Sequence, residues 1–120
     1  MKSYTERYVN TGGGSKGGGV PHVEFFPGGV QVTFHLQRTM GIPDADKIFE
    51  IPLEALNALP APPTGWTEGG DYWTNERRRV AMELPSTGKR LIFHYVDTVD
   101  SYSSPWSDEE VYGPYVEASI

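Results

Sequence analysis

His22-Val23-Glu24-Phe25-Phe26-Pro27-Gly28-Gly29-Val30-Gln31-Val32-Thr33-Phe34-His35-Leu36-Gln37 is the stretch on which the fold turns. From Val30 onward the residues alternate strictly, with Val30, Val32, Phe34 and Leu36 on one face and Gln31, Thr33, His35 and Gln37 on the other. That is the period of a half-buried strand. The preceding run, broken by Pro27-Gly28, supplies its partner. A two-residue loop sets Phe25 opposite Val30 and Val23 opposite Val32, apolar against apolar. A three-residue loop would oppose Glu24 to Val32, so the shorter loop is expected.

The same reasoning finds a second hairpin over Arg77 to Val96. Arg78, Val80, Met82 and Leu84 alternate with Arg77, Arg79, Ala81 and Glu83, and Pro85-Ser86-Thr87-Gly88 makes the turn. Pairing Leu84 with Lys89 brings Met82 to Leu91 and Val80 to Phe93 on the inner face. Glu83 by Arg90 and Arg79 by His94 are then expected outside. Between the hairpins, Lys47 to Ile51 reads as a short strand. Pro52 to Leu59 reads as a two-turn helix opened by proline and stopped by Pro60, with Leu53, Leu56 and Leu59 toward the sheet.

Working outward, Gly12-Gly13-Gly14-Ser15-Lys16-Gly17-Gly18-Gly19 reads as a linker, because glycine loses the most freedom on ordering. Its spacing does not meet that of a phosphate loop. Residues 1–19 are therefore expected to be an arm on a glycine hinge, 20–96 a β-rich body, and 97–120 a tail. The tail holds Asp97, Asp100, Asp108, Glu109, Glu110 and Glu117 with no Lys or Arg, yet also Tyr102, Trp106, Tyr112 and Tyr115, so it is expected to pack on the body or on a partner. Ser107-Asp108-Glu109-Glu110 fits a capping box opening a helical turn. The fold class is mainly β: an antiparallel sheet, small barrel or sandwich of about five strands with one short helix.

Composition excludes several chemistries. The 120 residues contain no cysteine, which removes disulfides, thiolate metal sites and cysteine nucleophiles. A formal charge of −6 and a pI near 4.9 argue against a general nucleic-acid binder. The apolar runs are too short for a membrane span and no signal peptide is visible, so a soluble, cytoplasmic protein is expected, in a host cell or a virion.

Candidate chemistry is sparse. His22 and His35 share the outer face of the first hairpin beside Glu24, and two imidazoles with a carboxylate could hold a divalent metal, though no diagnostic spacing supports it. His94 with Asp97 or Asp100 could form a base and its orienting carboxylate, but no nucleophile elbow accompanies them. Asp44 and Asp46 lack the further ligands of a calcium loop. Arg77-Arg78-Arg79 is split between two strand faces and is expected to pair with Glu76, Glu83 or the tail.

The function expected from these residues is that of a non-enzymatic interaction protein, a small component of a larger assembly such as a phage or viral particle, or an inhibitor of another protein. A protein partner or a homo-oligomer would be met by Tyr4, Tyr8, Trp66, Trp73, Trp106, Asp108, Glu109, Glu110, Tyr112 and Tyr115, since Tyr and Trp anchor interfaces and acids steer basic partners. No cofactor and no metal is expected. The alternative is a small β-barrel enzyme or ligand-binding domain using His22, His35 and His94, which requires the three to converge in one concavity.

Overall fold

The computed structural model describes residues 3–12, 20–38, 42–70, 75–99 and 107–119. Seven strands form among them: β1 (Thr5–Gly12), β2 (His22–Phe26), β3 (Gly29–Leu36), β4 (Asp44–Pro52), β5 (Glu76–Leu84), β6 (Lys89–Val99) and β7 (Ser107–Ala118), with a 3-10 helix at Leu53–Ala58. They make two antiparallel sheets, one ordered β1-β4-β3-β2 and the other β5-β6-β7, packed face to face and not closed into a barrel. No helix among the described residues is long and apolar enough to cross a membrane.

Both hairpins take the register that their alternation dictates. Val23 lies opposite Val32 and Phe25 opposite Val30 across the Pro27-Gly28 loop, while Leu84 meets Lys89, Met82 meets Leu91 and Val80 meets Phe93. Gly29 closes the first turn against the neighbouring strand. A Cβ there would stand 2.2 Å from the Ile51 carbonyl oxygen, so only glycine fits.

The core is built from the inward faces of both sheets: Val30, Val32, Phe34, Leu36, Phe49 and Ile51 from the first, Leu84, Leu91, Phe93, Tyr95 and Val111 from the second. Three phenylalanines join the layers. The Phe93 ring lies 5.0 Å from Phe34 and 4.8 Å from Phe49, while Phe34 and Phe49 meet edge to face at 6.2 Å.

Several sequence expectations are corrected. The strands number seven rather than about five because both flanks join the sheets. The arm enters the first sheet as β1, paired with β4 from Thr5↔Glu50 to Gly12↔Asp44, while the hinge residues 13–19 lie outside the described residues. Ser107 to Glu110 opens β7 instead of a helical turn. The Glu109 carboxylate accepts the Gln37 N–H at 2.7 Å and the Glu109 N–H donates to the Gln37 carbonyl at 2.9 Å, so its partners are across the sandwich and not in a local cap. The two-turn helix is a single 3-10 segment preceded by Pro52, and Ala55 and Leu56 are its buried residues. Leu59 is buried too, but Leu53, whose N–H donates to the Gly28 carbonyl, remains 52% exposed. His94, expected outside, is buried at 3% exposure because the segment after the helix crosses over it.

That segment ties the two free edges of the second sheet. The Val116 N–H of β7 donates to the Pro60 carbonyl at 2.9 Å. Trp66 then stacks on His94 in the middle of the outer face, 4.2 Å between ring centres and 5° from parallel. Gly69 finally exchanges two hydrogen bonds with Arg77 of β5, at 3.0 and 2.7 Å.

Candidate interaction surface

The residues expected to bind a partner are mostly engaged within the fold. Tyr4 packs against Phe49 and the Tyr8 hydroxyl donates to Glu110 at 2.9 Å. Asp108 pairs with Arg38 at 3.3 Å. Glu110 faces Lys47 at 3.3 Å and Arg38 at 3.7 Å. Burial alone would raise the Glu110 carboxyl, but the Val111 N–H, the Tyr8 hydroxyl and Lys47 outweigh it and hold it below the usual carboxylate range. Trp66 and Tyr115 both lie against His94, whose own pKa is lowered by burial and by Arg79. Tyr112 is 51% exposed. Trp73 and Trp106 lie outside the described residues. The arginines are paired as expected, Arg78 with Glu76 and Arg79 with Glu117, the latter also reached by Arg90.

Glu109 and Asp97 stand directly opposite each other on β7 and β6, and both are buried. Burial pushes both carboxyls above their ordinary range, offset for Glu109 by the Tyr95 hydroxyl and the Gln37 N–H and for Asp97 by Ser107. Asp97 Oδ1 has no hydrogen-bond partner among the described residues. A carboxyl whose folded pKa is raised stabilises fully below its unfolded pKa, and that stability is lost as pH rises through the folded value. Asp97→Asn is therefore expected to unfold at the same temperature as the wild type near pH 4 and at a higher temperature at pH 8. A thermal melt series across that range checks it, and a gap that widens toward acid pH would contradict it.

The histidines do not converge. His22 and His35 lie on the outer face of the first sheet, where His35 Nδ1 meets Asp46 at 2.5 Å and His22 Nε2 meets Glu24 at 3.4 Å. His94 lies on the outer face of the second sheet, on the far side of the sandwich, and Asp97 points inward, away from it. Asp100 is outside the described residues. Among the described residues no group of three His, Asp or Glu side chains could hold a metal ion.

What alternation in the sequence concealed is β2. Adjacent residues of a strand face opposite ways, so Phe25 and Phe26 cannot both enter one core, and this was the available signal. In fact both are out: Phe25 is 51% and Phe26 47% exposed, beside Leu53 at 52% and Val20 at 80%. The narrower second sheet buries the inward faces of β3 and β4 and leaves β2 overhanging, with only Val23 packed at the margin of the core. Between the overhang and β5 runs a groove of about 440 Å³ whose walls include Val20, Val23, Val80 and Met82, with Arg78 at its side. A second hollow of about 190 Å³ is lined by Phe25, Phe26, Leu53 and Leu84.

Each of the other sheet edges is answered or defended. β5 is met by Gly69, and its Arg79 N–H donates to Glu68 at 2.7 Å. β7 is met by Pro60, and its Val111 carbonyl accepts Lys47 Nζ at 3.0 Å. β1 carries Glu6 and Arg7 and breaks register between Asn10 and Gly12. β2 has no Lys, no Arg, no proline and no register break. The chain matches no family profile, no curated protein and no solved structure.

Proposed function

We propose that this protein is a non-enzymatic interaction module, a component of a larger assembly or an inhibitor, that engages a protein partner by strand addition at β2. The observation that carries the reading is the β2 edge, unpaired among the described residues and flanked by exposed Phe25, Phe26 and Leu53. Main-chain hydrogen bonds to such an edge give affinity, and hollows beside it accept alternate side chains of the added strand. Contiguous apolar exposure of this kind marks contact sites. The acidic side chains of β7 serve this reading from within, by locking the second sheet to the first through Lys47 and Arg38. The enzymatic alternative needs the three histidines in one concavity, and His22 and His35 stand on one outer face and His94 on the other.

The test is Val23→Pro. The pairing of Phe26 with Gly29 around a two-residue loop turns the main-chain groups of Phe26, Glu24 and His22 toward β3, so those of Val23 and Phe25 point to the free edge. Proline there removes an outward N–H and none of the internal ladder, and edge strands tolerate it. Partner capture from cells of the native source is expected to be lost in Val23→Pro while the thermal midpoint moves by no more than a few degrees. Undiminished capture by a folded Val23→Pro would remove β2 as the site.

A further inference from the structure

We infer that the strand added to β2 is the β2 of a second copy of this chain, related by a twofold axis through Val23. The inference rests on the strand-addition reading above and names its partner.

Only Val23 and Phe25, with the carbonyl of Pro21, direct main-chain groups outward. Two antiparallel copies can therefore pair in few registers. With the axis at Val23, each Val23 exchanges two hydrogen bonds with its mate, and each Phe25 N–H donates to the carbonyl of the other copy's Pro21. Pro21 lacks an N–H, so this pair makes one main-chain bond and the Phe25 carbonyl is left to water. His22 then stands directly opposite Glu24 of the other copy, twice, in the closely spaced non-hydrogen-bonded positions where side chains interact most. With the axis at Glu24, two glutamates would face each other at that short spacing, a destabilising pair. The charge pattern of the strand thus chooses one register against the other.

The same residues show the match in one chain: His22 Nε2 and Glu24 Oε1 are already 3.4 Å apart on the outer face, and their side chains are 66% and 64% exposed. They are free to turn to a neighbour without disturbing the core. Val23 and Phe25 lie on the other side of the strand, over the groove, so the apolar side chains of the two copies would continue one apolar surface. A strand of five residues with no Lys or Arg and a self-complementary His and Glu is suited to its own kind.

Sedimentation equilibrium of the full chain over a range of concentrations tests this, with four variants whose folding is checked by circular dichroism. The wild type is expected to dimerise and Val23→Pro to be monomeric. His22→Glu sets glutamate against Glu24, and Glu24→Lys sets lysine against His22. Each single change is expected to weaken the dimer roughly tenfold. The double variant His22→Glu with Glu24→Lys restores opposite charges at both positions and is expected to recover most of the affinity. Because both side chains are exposed, the charge variants keep the test meaningful even if Val23→Pro were to misfold.

A wild type that stays monomeric throughout overturns the inference. If Val23→Pro still abolishes capture of a foreign protein in that case, strand addition at β2 stands with a different occupant. A dimer that Val23→Pro leaves intact also overturns it. A dimer lost in Val23→Pro but not rescued by the double exchange overturns the axis at Val23, since pairing about Glu24 would keep two lysines facing each other.

Discussion

Phe93→Ala is expected to destabilise the fold by about 3 to 5 kcal/mol, the usual cost of removing a large buried aromatic. Its ring is fully buried and contacts both Phe34 and Phe49 of the facing sheet, so truncation empties the joint between the layers. Relaxation from β7 is restricted, because Gly113 already sits where a Cβ would lie 2.9 Å from that ring and 3.0 Å from the Ile92 carbonyl oxygen. With total stabilities of domains on the order of 5 to 15 kcal/mol, the variant should remain folded only narrowly if at all. Urea unfolding followed by tryptophan emission measures it. A loss below about 1 kcal/mol would mean that the two sheets do not share this core.

Deleting residues 1–12 is expected to have the second largest effect. The deletion strips β1 from β4, uncovers the side of Phe49 that Tyr4 shields and removes the Tyr8 hydroxyl from Glu110. Lys47 and Arg38 also lose the Tyr8 ring that lies 5.2 and 5.5 Å from their charged groups. A fall in thermal midpoint of about 10 °C or more is expected, corresponding to a few kcal/mol for a domain of this size. An unchanged midpoint would make the segment a tether only.

The two hairpins were readable residue by residue because each joins a strict period of two to a short loop, and only one register matches the faces. β1 and β7 were not readable in the same way. The two apolar residues of Thr5 to Gly12, Tyr8 and Val9, are adjacent and so fall on opposite faces, and nothing in the pattern announces a buried face. In β7 the inward residue at the start is Glu109, and an acid at a core position reads as a solvent residue unless its partners, here Gln37 and the neighbouring sheet, are known. Lys47 inside β4 hides for the same reason: it is 8% exposed because it reaches Val111 and Glu110 across the sandwich. Long-range satisfaction of polar groups has no local signature.

The candidate surface was hidden by a difference in sheet width. Val23 and Phe25 face the core side in the register that the sequence dictates, and that register is correct. Whether a core-facing side chain is covered depends on how far the opposite sheet extends, and three strands do not span four. The tyrosines and acids of the tail drew attention by composition, and the structure uses most of them to fasten β7.

The segment from Pro60 to Gly69 has a consequence for how the molecule comes apart. It grips β7 at Val116 and β5 at Arg77, two strands that are not hydrogen-bonded to each other, and it is pinned between them by Trp66 on His94. Neither outer strand can peel away singly without lifting that pin and exposing the imidazole beneath. The second sheet therefore frays at both margins together or not at all, a latch that makes three strands open as one cooperative unit.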